Sequence, residues 1–211
     1  MATNRLAPKN HNALLIDAAQ SQPEYREISG FLGKRIPAAN YGYLPEGVFG
    51  RFMKNSPFGN ELPPEGQIEI NSAFLDSNRG PSAAMPTLTH EMVHAAQGPM
   101  TDMYYAHNRG SQTPEMQQFI DAYNRLEFSP YQAGMAAYPR SAMSAKLGGL
   151  DWHNKNAKYR TSETELPAQA IGNAMRSDSR GPLHLDPTLA TEYRILLDLA
   201  TRAKNSIGTK K

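Results

Sequence analysis

Two histidines four residues apart, with a glutamate directly after the first, form the segment of this sequence best suited to chemistry. They are His90, Glu91 and His94, within PTLTHEMVHAAQGPM at residues 86–100. On a helix, positions i and i+4 share a face, so both imidazoles would reach one Zn²⁺ at ~2.0–2.1 Å. Glu91 lies about 100° further round the helix, where it would act as general base toward a zinc-activated water. The pattern predicts a zinc site with a catalytic carboxylate.

The same five residues could also occur by accident on an ordinary polar helix face. With 6 histidines in 211 residues, a chance H-E-x-x-H is expected in roughly one such sequence in a hundred. The surrounding residues favour a real helix, since Pro86 suits a first turn and Gly98-Pro99 is a stop signal. We therefore expect a helix from about Pro86 to Gln97, with Leu88 and Met92 on an apolar flank that packs on a sheet.

Zinc held by two histidines needs a third protein ligand from elsewhere in the chain. The sequence has no cysteine, so that ligand must be His, Asp or Glu. Glu165 is the first choice, because Ser162 and Glu165 have capping-box spacing and Glu165 should enter the first turn of a helix. Glu163, Asp102 and a more distant histidine are alternatives. Asp102 follows shortly after the predicted zinc-binding helix.

The residues around these ligands resemble a known family of enzymes. His90 to His94 followed by Ala-Ala-Gln, together with Glu165, Ala168 and Ala170, is similar to the zincin-like metallopeptidases with a glutamate third ligand, the gluzincins. More narrowly, the pattern is similar to the minimal zincins of phages, prophages and mobile elements. The sequence departs from that pattern at Pro167, where a second glutamate is expected. The start of the helix is then open by a residue or two, which keeps Glu163 as an alternative ligand.

The resemblance implies a set of roles and a substrate position. It implies zinc ligands His90, His94 and Glu165, with Glu91 as the base. It also implies a short sheet whose edge strand, here Gln67–Asn71, lies along the cleft and pairs with an extended peptide. A zinc peptidase also needs a hydrogen-bond donor for the oxyanion, and the sequence offers three tyrosines for it. These are Tyr104, Tyr105 and Tyr159.

The pattern of the whole chain predicts an α+β fold, mostly helical, with a small mixed sheet, an active-site helix and C-terminal helices. We expect one zincin-like domain over residues 1–211, with an insertion at 99–160. Further helices are predicted over 10–20, 113–127, 162–175 and 186–205. Strands are predicted over 41–44, 48–53 and 67–71, the first two joined as a hairpin through Pro45-Glu46-Gly47.

Composition limits the partners. The formal charge of +2, from 22 basic and 20 acidic residues, predicts neither a nucleic-acid surface nor a membrane-adsorbing one. The N-terminal apolar run Ala13–Ile16 is too short for a signal-peptide core, and no segment approaches the ~20 apolar residues of a membrane span. We therefore expect a soluble protein, cytoplasmic or virion-associated.

Two functions fit these observations. The first is a zinc metallopeptidase, expected to be an endopeptidase, acting on a peptide or protein substrate. The second is a structural or binding component, for example of a phage particle or secreted complex, that keeps the zincin fold and an assembly partner but has little or no turnover. The presence of Glu91 favours the first, because a structural zinc site needs ligands but no general base.

Overall fold

The structure is a computed structural model, which describes residues 8–54, 62–76, 83–107, 113–128, 165–175 and 187–208. Within these ranges it contains six α-helices and three strands, and it divides into two compact units, residues 1–95 and 96–211. The helices are α1 (Pro8–Gln20), α2 (Pro23–Leu32), α3 (Met85–His107), α4 (Pro114–Phe128), α5 (Glu165–Ala174) and α6 (Pro187–Gly208). The strands are β1 (Ala38–Gly42), β2 (Gly50–Met53) and β3 (Gln67–Asn71).

These elements confirm the predicted α+β class, with a small mixed sheet and mostly helical structure. The predicted single domain with an insertion at 99–160 stays a prediction, since much of that range lies outside the described residues. Among the described residues, no helix is long and apolar enough to cross a membrane.

The first unit contains α1, α2, the sheet and the beginning of α3. Strand β3 is central: it pairs in parallel with β1 and antiparallel with β2. Its residues alternate between buried and half-buried, with Ile68 and Ile70 fully buried, as the alternating sequence predicts. Ile28 and Phe31 of α2 belong to the same buried core, a helix that the sequence analysis missed.

Two expectations about the sheet are wrong. The segments at 41–44 and 48–53 do not form a hairpin, because β1 and β2 lie on opposite sides of β3. Strand β3 is therefore not the sheet edge that the resemblance implied. The physical reason is burial: β3 carries two isoleucines on one face, and the central position buries both against neighbours on each side.

The turn between β1 and β2 has a different function from a hairpin. Gly47 takes a positive φ of 82°, and the N–H of Val48 donates to the carbonyl of Pro45 at 3.0 Å. The side chain of Asn71, at the end of β3, then donates to the carbonyl of Val48 at 2.7 Å. The turn is thus bonded to the central strand, and the chain continues from it into β2, which begins at Gly50.

The second unit contains the end of α3 and helices α4, α5 and α6, with α6 packed on both α4 and α5. At the start of α4, the hydroxyl of Thr113 accepts the N–H of Met116 at 3.2 Å and bonds to the Ser206 hydroxyl of α6 at 2.8 Å. The buried side chains of α4 and α6 are apolar at helical spacing, as predicted. They include Met116, Phe119, Ile120, Tyr123, Tyr193, Leu196, Leu197 and Ala200.

Helix α3 does not end at the predicted stop signal. It continues for a further ten residues past Gln97 to His107, with Pro99 inside it. Gly98 does not adopt the positive φ of a C-cap glycine, which among the described residues is taken by Gly33, Gly47 and Gly66. Packing outweighs the lost hydrogen bond at Pro99, since Met100 is buried and Thr101 bonds to the Tyr123 hydroxyl of α4 at 2.8 Å.

Candidate metal centre

The two histidines of the opening motif lie side by side on the first half of α3. Their Nε2 atoms are 3.2 Å apart and their rings meet edge to face, with centroids 4.9 Å apart. Both side chains are half-buried. Leu88, Met92, Ala95 and Ala96, predicted as the apolar flank of the same helix, are buried. The helix therefore directs its apolar flank into the core and holds the two ring nitrogens together on another stripe.

The distance between the ring nitrogens suits a shared metal ion. Two ligands on a tetrahedral ion with bonds of ~2.0–2.1 Å are separated by about 3.3 Å. The Nε2–Nε2 distance of 3.2 Å is close to that value. Without a metal, one of the two nitrogens must carry a proton to make the contact favourable. With a metal, both nitrogens would be unprotonated and would donate their lone pairs to the ion.

Glu165 completes a group of possible ligands. It is the first residue of α5, in the first helical turn as the capping-box spacing predicted, and only 4% of it is exposed. One ligand atom from each of His90, His94 and Glu165 lies within 4.8 Å of the other two. A carboxylate this buried needs a compensating charge or hydrogen bonds, and two imidazoles with a cation would supply the charge. These three residues could hold a metal ion.

Glu91 lies beside this group without being a member of it. Its Oε1 atom is 4.0 Å from Nε2 of His90, and the residue is 6% exposed. Its aliphatic part lies against β2: a Cβ built on Gly50 would be 3.2 Å from Glu91 Cγ. The carboxylate therefore lies beside His90 and outside the ligand group, as the helical offset between the two residues predicted, and its role as a base stays a prediction.

The alternative ligands are placed differently. Asp102 is exposed on the second half of α3 and is not in the ligand group found among the described residues. Glu163 lies outside the described residues, so its part in a metal site stays untested. Helix α5 begins at Glu165, and the buried Pro167 occupies its first turn, which a proline tolerates.

Two of the three tyrosines predicted as oxyanion donors, Tyr104 and Tyr105, have surroundings other than the ligand group. The hydroxyl of Tyr104 donates to Asn124 Oδ1 at 2.7 Å, and its ring stacks on Tyr123 with centroids 4.6 Å apart. Tyr105 is 67% exposed. Tyr159 lies outside the described residues. The contacts of Tyr104 indicate a packing function in the second unit.

Sequence reasoning missed two residues beside the site, Gly50 and Thr87. A Cβ on Gly50 would be 2.6 Å from Thr87 Cγ2, so the strand and the helix approach each other closely at this point. A signal was present, since a glycine inside a predicted strand often marks the close approach of another chain segment. Nothing in the sequence showed that the approaching segment would be the helix with the histidines.

Comparison of the chain with protein-family models, with curated proteins and with solved structures gave no match. The case for a function therefore rests on the motif, on the grouping of His90, His94 and Glu165, and on the position of Glu91.

Proposed function

We propose that this protein is a zinc-dependent metallopeptidase that hydrolyses a peptide bond with Glu91 as the general base. The observation that carries the proposal is the grouping of His90, His94 and Glu165, with a further buried carboxylate next to one of the histidines. Three potential ligands and a separate base are the parts that a catalytic zinc site requires.

The donor set supports zinc and supports catalysis over a structural site. Two imidazoles and one carboxylate match the His₂Glu set of catalytic zinc sites, whereas structural zinc sites use four protein ligands and usually thiolates. The chain has no cysteine, and no fourth ligand joins the group among the described residues. Zinc held there would lower the pKa of a water toward ~7 and so supply hydroxide at neutral pH.

The position of Glu91 supports its assignment as base. It is close to His90 but is not in the ligand group, so it can accept and release a proton without breaking a bond to the metal. In the proposed mechanism, Glu91 accepts the proton of the attacking water and then delivers it to the amine that leaves. Burial of the side chain limits competing hydrogen bonds with bulk water.

The topology supports a different substrate edge from the one that the resemblance implied. Strand β3 is paired on both sides, which leaves β1 and β2 as the edges of the described sheet. At β1, the side chain of Asn12 in α1 accepts the backbone N–H of Tyr41 at 3.3 Å and donates to Asn40 Oδ1. Strand β2 lies against Glu91 at Gly50. We therefore place an extended peptide along β2, paired by backbone hydrogen bonds next to the base.

The test combines zinc content with hydrolysis of a degenerate peptide library, read by mass spectrometry. Wild type is expected to bind about one zinc per chain and to cleave a subset of peptides. Glu91→Gln should keep the zinc, and its activity should fall roughly 10²–10⁴-fold because the amide cannot take up a proton. Glu192→Gln, an exposed glutamate on α6, is the matched control and should change neither property.

A second pair of variants tests the ligand set. Glu165→Ala should reduce zinc content sharply, whereas Asp102→Ala should leave it unchanged. Zinc retained in Glu165→Ala would exclude Glu165 and direct attention to Glu163. Zinc that binds tightly in wild type with no cleavage of any peptide would instead favour the structural or binding component with an assembly partner. Absence of zinc binding in wild type would exclude the zinc metallopeptidase.

A further inference from the structure

Strand β2 and helix α3 approach each other at a point where no side chain fits between them. A Cβ on Gly50 would lie 2.6 Å from Thr87 Cγ2, 3.2 Å from Glu91 Cγ and 3.3 Å from the carbonyl oxygen of Glu69. The first of these distances is shorter than carbon atoms tolerate without moving. Thr87 and Glu91 are one helical turn apart and share the face of α3 that meets the strand.

The requirement for glycine at this position comes from space and not from backbone conformation. The positive-φ glycines of the described residues are Gly33, Gly47 and Gly66, and Gly50 is not among them. Any residue could adopt the backbone of Gly50, so the missing side chain must be what matters. The two side chains that fill the space belong to a threonine and the proposed base.

Gly42 provides a contrast on the other edge of the same sheet. A Cβ there would meet the carboxylate group of Glu69 at 3.5–3.7 Å, which is ordinary van der Waals contact. Alanine should therefore be tolerated at Gly42 and resisted at Gly50. Of these two glycines, only Gly50, where the sheet touches α3, is crowded.

We infer that Gly50 is a positioning residue for Glu91: its bare backbone lets β2 support the aliphatic part of Glu91 and so fixes the carboxylate beside His90. The inference rests on the proposed function, in which Glu91 is the base. A side chain at position 50 would push the side chains of Thr87 and Glu91 away from β2. A displacement of about 1 Å in a catalytic group can cost on the order of a hundredfold in rate.

The first test is kinetic and uses four zinc-loaded proteins: wild type, Gly50→Ala, Thr87→Ser and the double variant. Gly50→Ala should keep its zinc and lose on the order of tenfold or more in kcat on the cleaved peptide, with KM changed less than twofold. Thr87→Ser removes the methyl group in the shortest contact. The double variant should therefore recover much of the lost kcat. Gly42→Ala is the control and should behave as wild type.

The second test does not depend on hydrolysis. Crystal structures of zinc-loaded wild type and Gly50→Ala are compared at Glu91; if the single variant does not fold, the double variant is compared instead and should show Glu91 in its wild-type position. A displaced Glu91 carboxylate in Gly50→Ala, with His90 and His94 in place, would support the inference. An unmoved Glu91 in Gly50→Ala, or a displaced Glu91 in the double variant, would overturn it, as would an equal loss of kcat in Gly50→Ala and Gly42→Ala. A wild type that cleaves nothing while Glu91 still moves would overturn the proposed function alone.

Discussion

The two halves of α3 carry similar polar residues and use them differently. In the first half, the Nε2 atoms of His90 and His94 face each other at 3.2 Å. In the second half, Tyr104 donates to Asn124 and Thr101 bonds to Tyr123, both on α4. Tyr104 and Thr101 are thus each matched to a neutral partner on α4, whereas the two ring nitrogens belong to a group that could hold a metal ion. A polar stripe on a helix therefore does not by itself indicate a metal site. The groups that its side chains contact distinguish a candidate metal site from a packing surface.

The largest effect should come from removing a histidine of the first half. We expect His94→Ala to abolish stoichiometric zinc binding and peptide hydrolysis together, because one imidazole and one carboxylate are too few to hold the ion. His107→Ala, which removes the imidazole of the last residue of the same helix, is the matched control. Metal analysis after dialysis against a zinc buffer measures both variants. Equal zinc content in His94→Ala and wild type would end the distinction between the two halves.

A smaller effect is expected from removing the metal itself. Zinc that binds only the folded state stabilises it by about 2.7 kcal/mol at a free concentration 100 times Kd. For a chain of this size that corresponds to roughly 5–10 °C in Tm, measured by calorimetry with zinc and with a chelator. The shift should disappear in His94→Ala and persist in Tyr104→Phe. A chelator-sensitive Tm in His94→Ala would show that the metal lies elsewhere.

The smallest effect should come from the second half. Tyr104→Phe leaves Asn124 without its donor and should lower the free energy of unfolding by about 1 kcal/mol, with zinc content and kcat unchanged. Tyr105→Phe is the control, since Tyr105 is exposed and should cost less. Urea denaturation followed by peptide assay provides both numbers. A Tyr104→Phe variant of normal stability and greatly reduced kcat would make Tyr104 an oxyanion donor and break the comparison.

The existence of five of the six described helices was predictable because helix formation depends on local periodicity, whereas α2 was missed. Helices α1, α3, α4, α5 and α6 were all expected, and α4 begins at Pro114 as the Thr113-Pro114 pair indicated. The end of α3 was not predictable, since Gly98-Pro99 is a correct local stop signal. The helix continues past this signal because Thr101 and Tyr104, which follow it, make contacts with α4. Such long-range contacts cannot be read from the local sequence.

Strand pairing shows the same limit. The alternation in Gln67–Asn71 predicted a half-buried strand, and Ile68 and Ile70 are buried. The alternation could not show which strands would flank it. That depends on which arrangement buries the most apolar surface, and the result placed β3 at the centre and moved the proposed substrate edge to β2.

The sequence by itself determined the chemical groups of the candidate site, because the helical repeat brings His90 and His94 onto one face and turns Glu91 aside from them. It also indicated Glu165, since a capping pattern places that residue at the start of a helix. The tertiary structure alone decided that Glu165 joins the histidines and that Gly50 admits β2 to the side of Glu91. Both depend on packing between segments far apart in the chain, where steric fit and buried area decide the outcome and the local sequence carries no record of the partner.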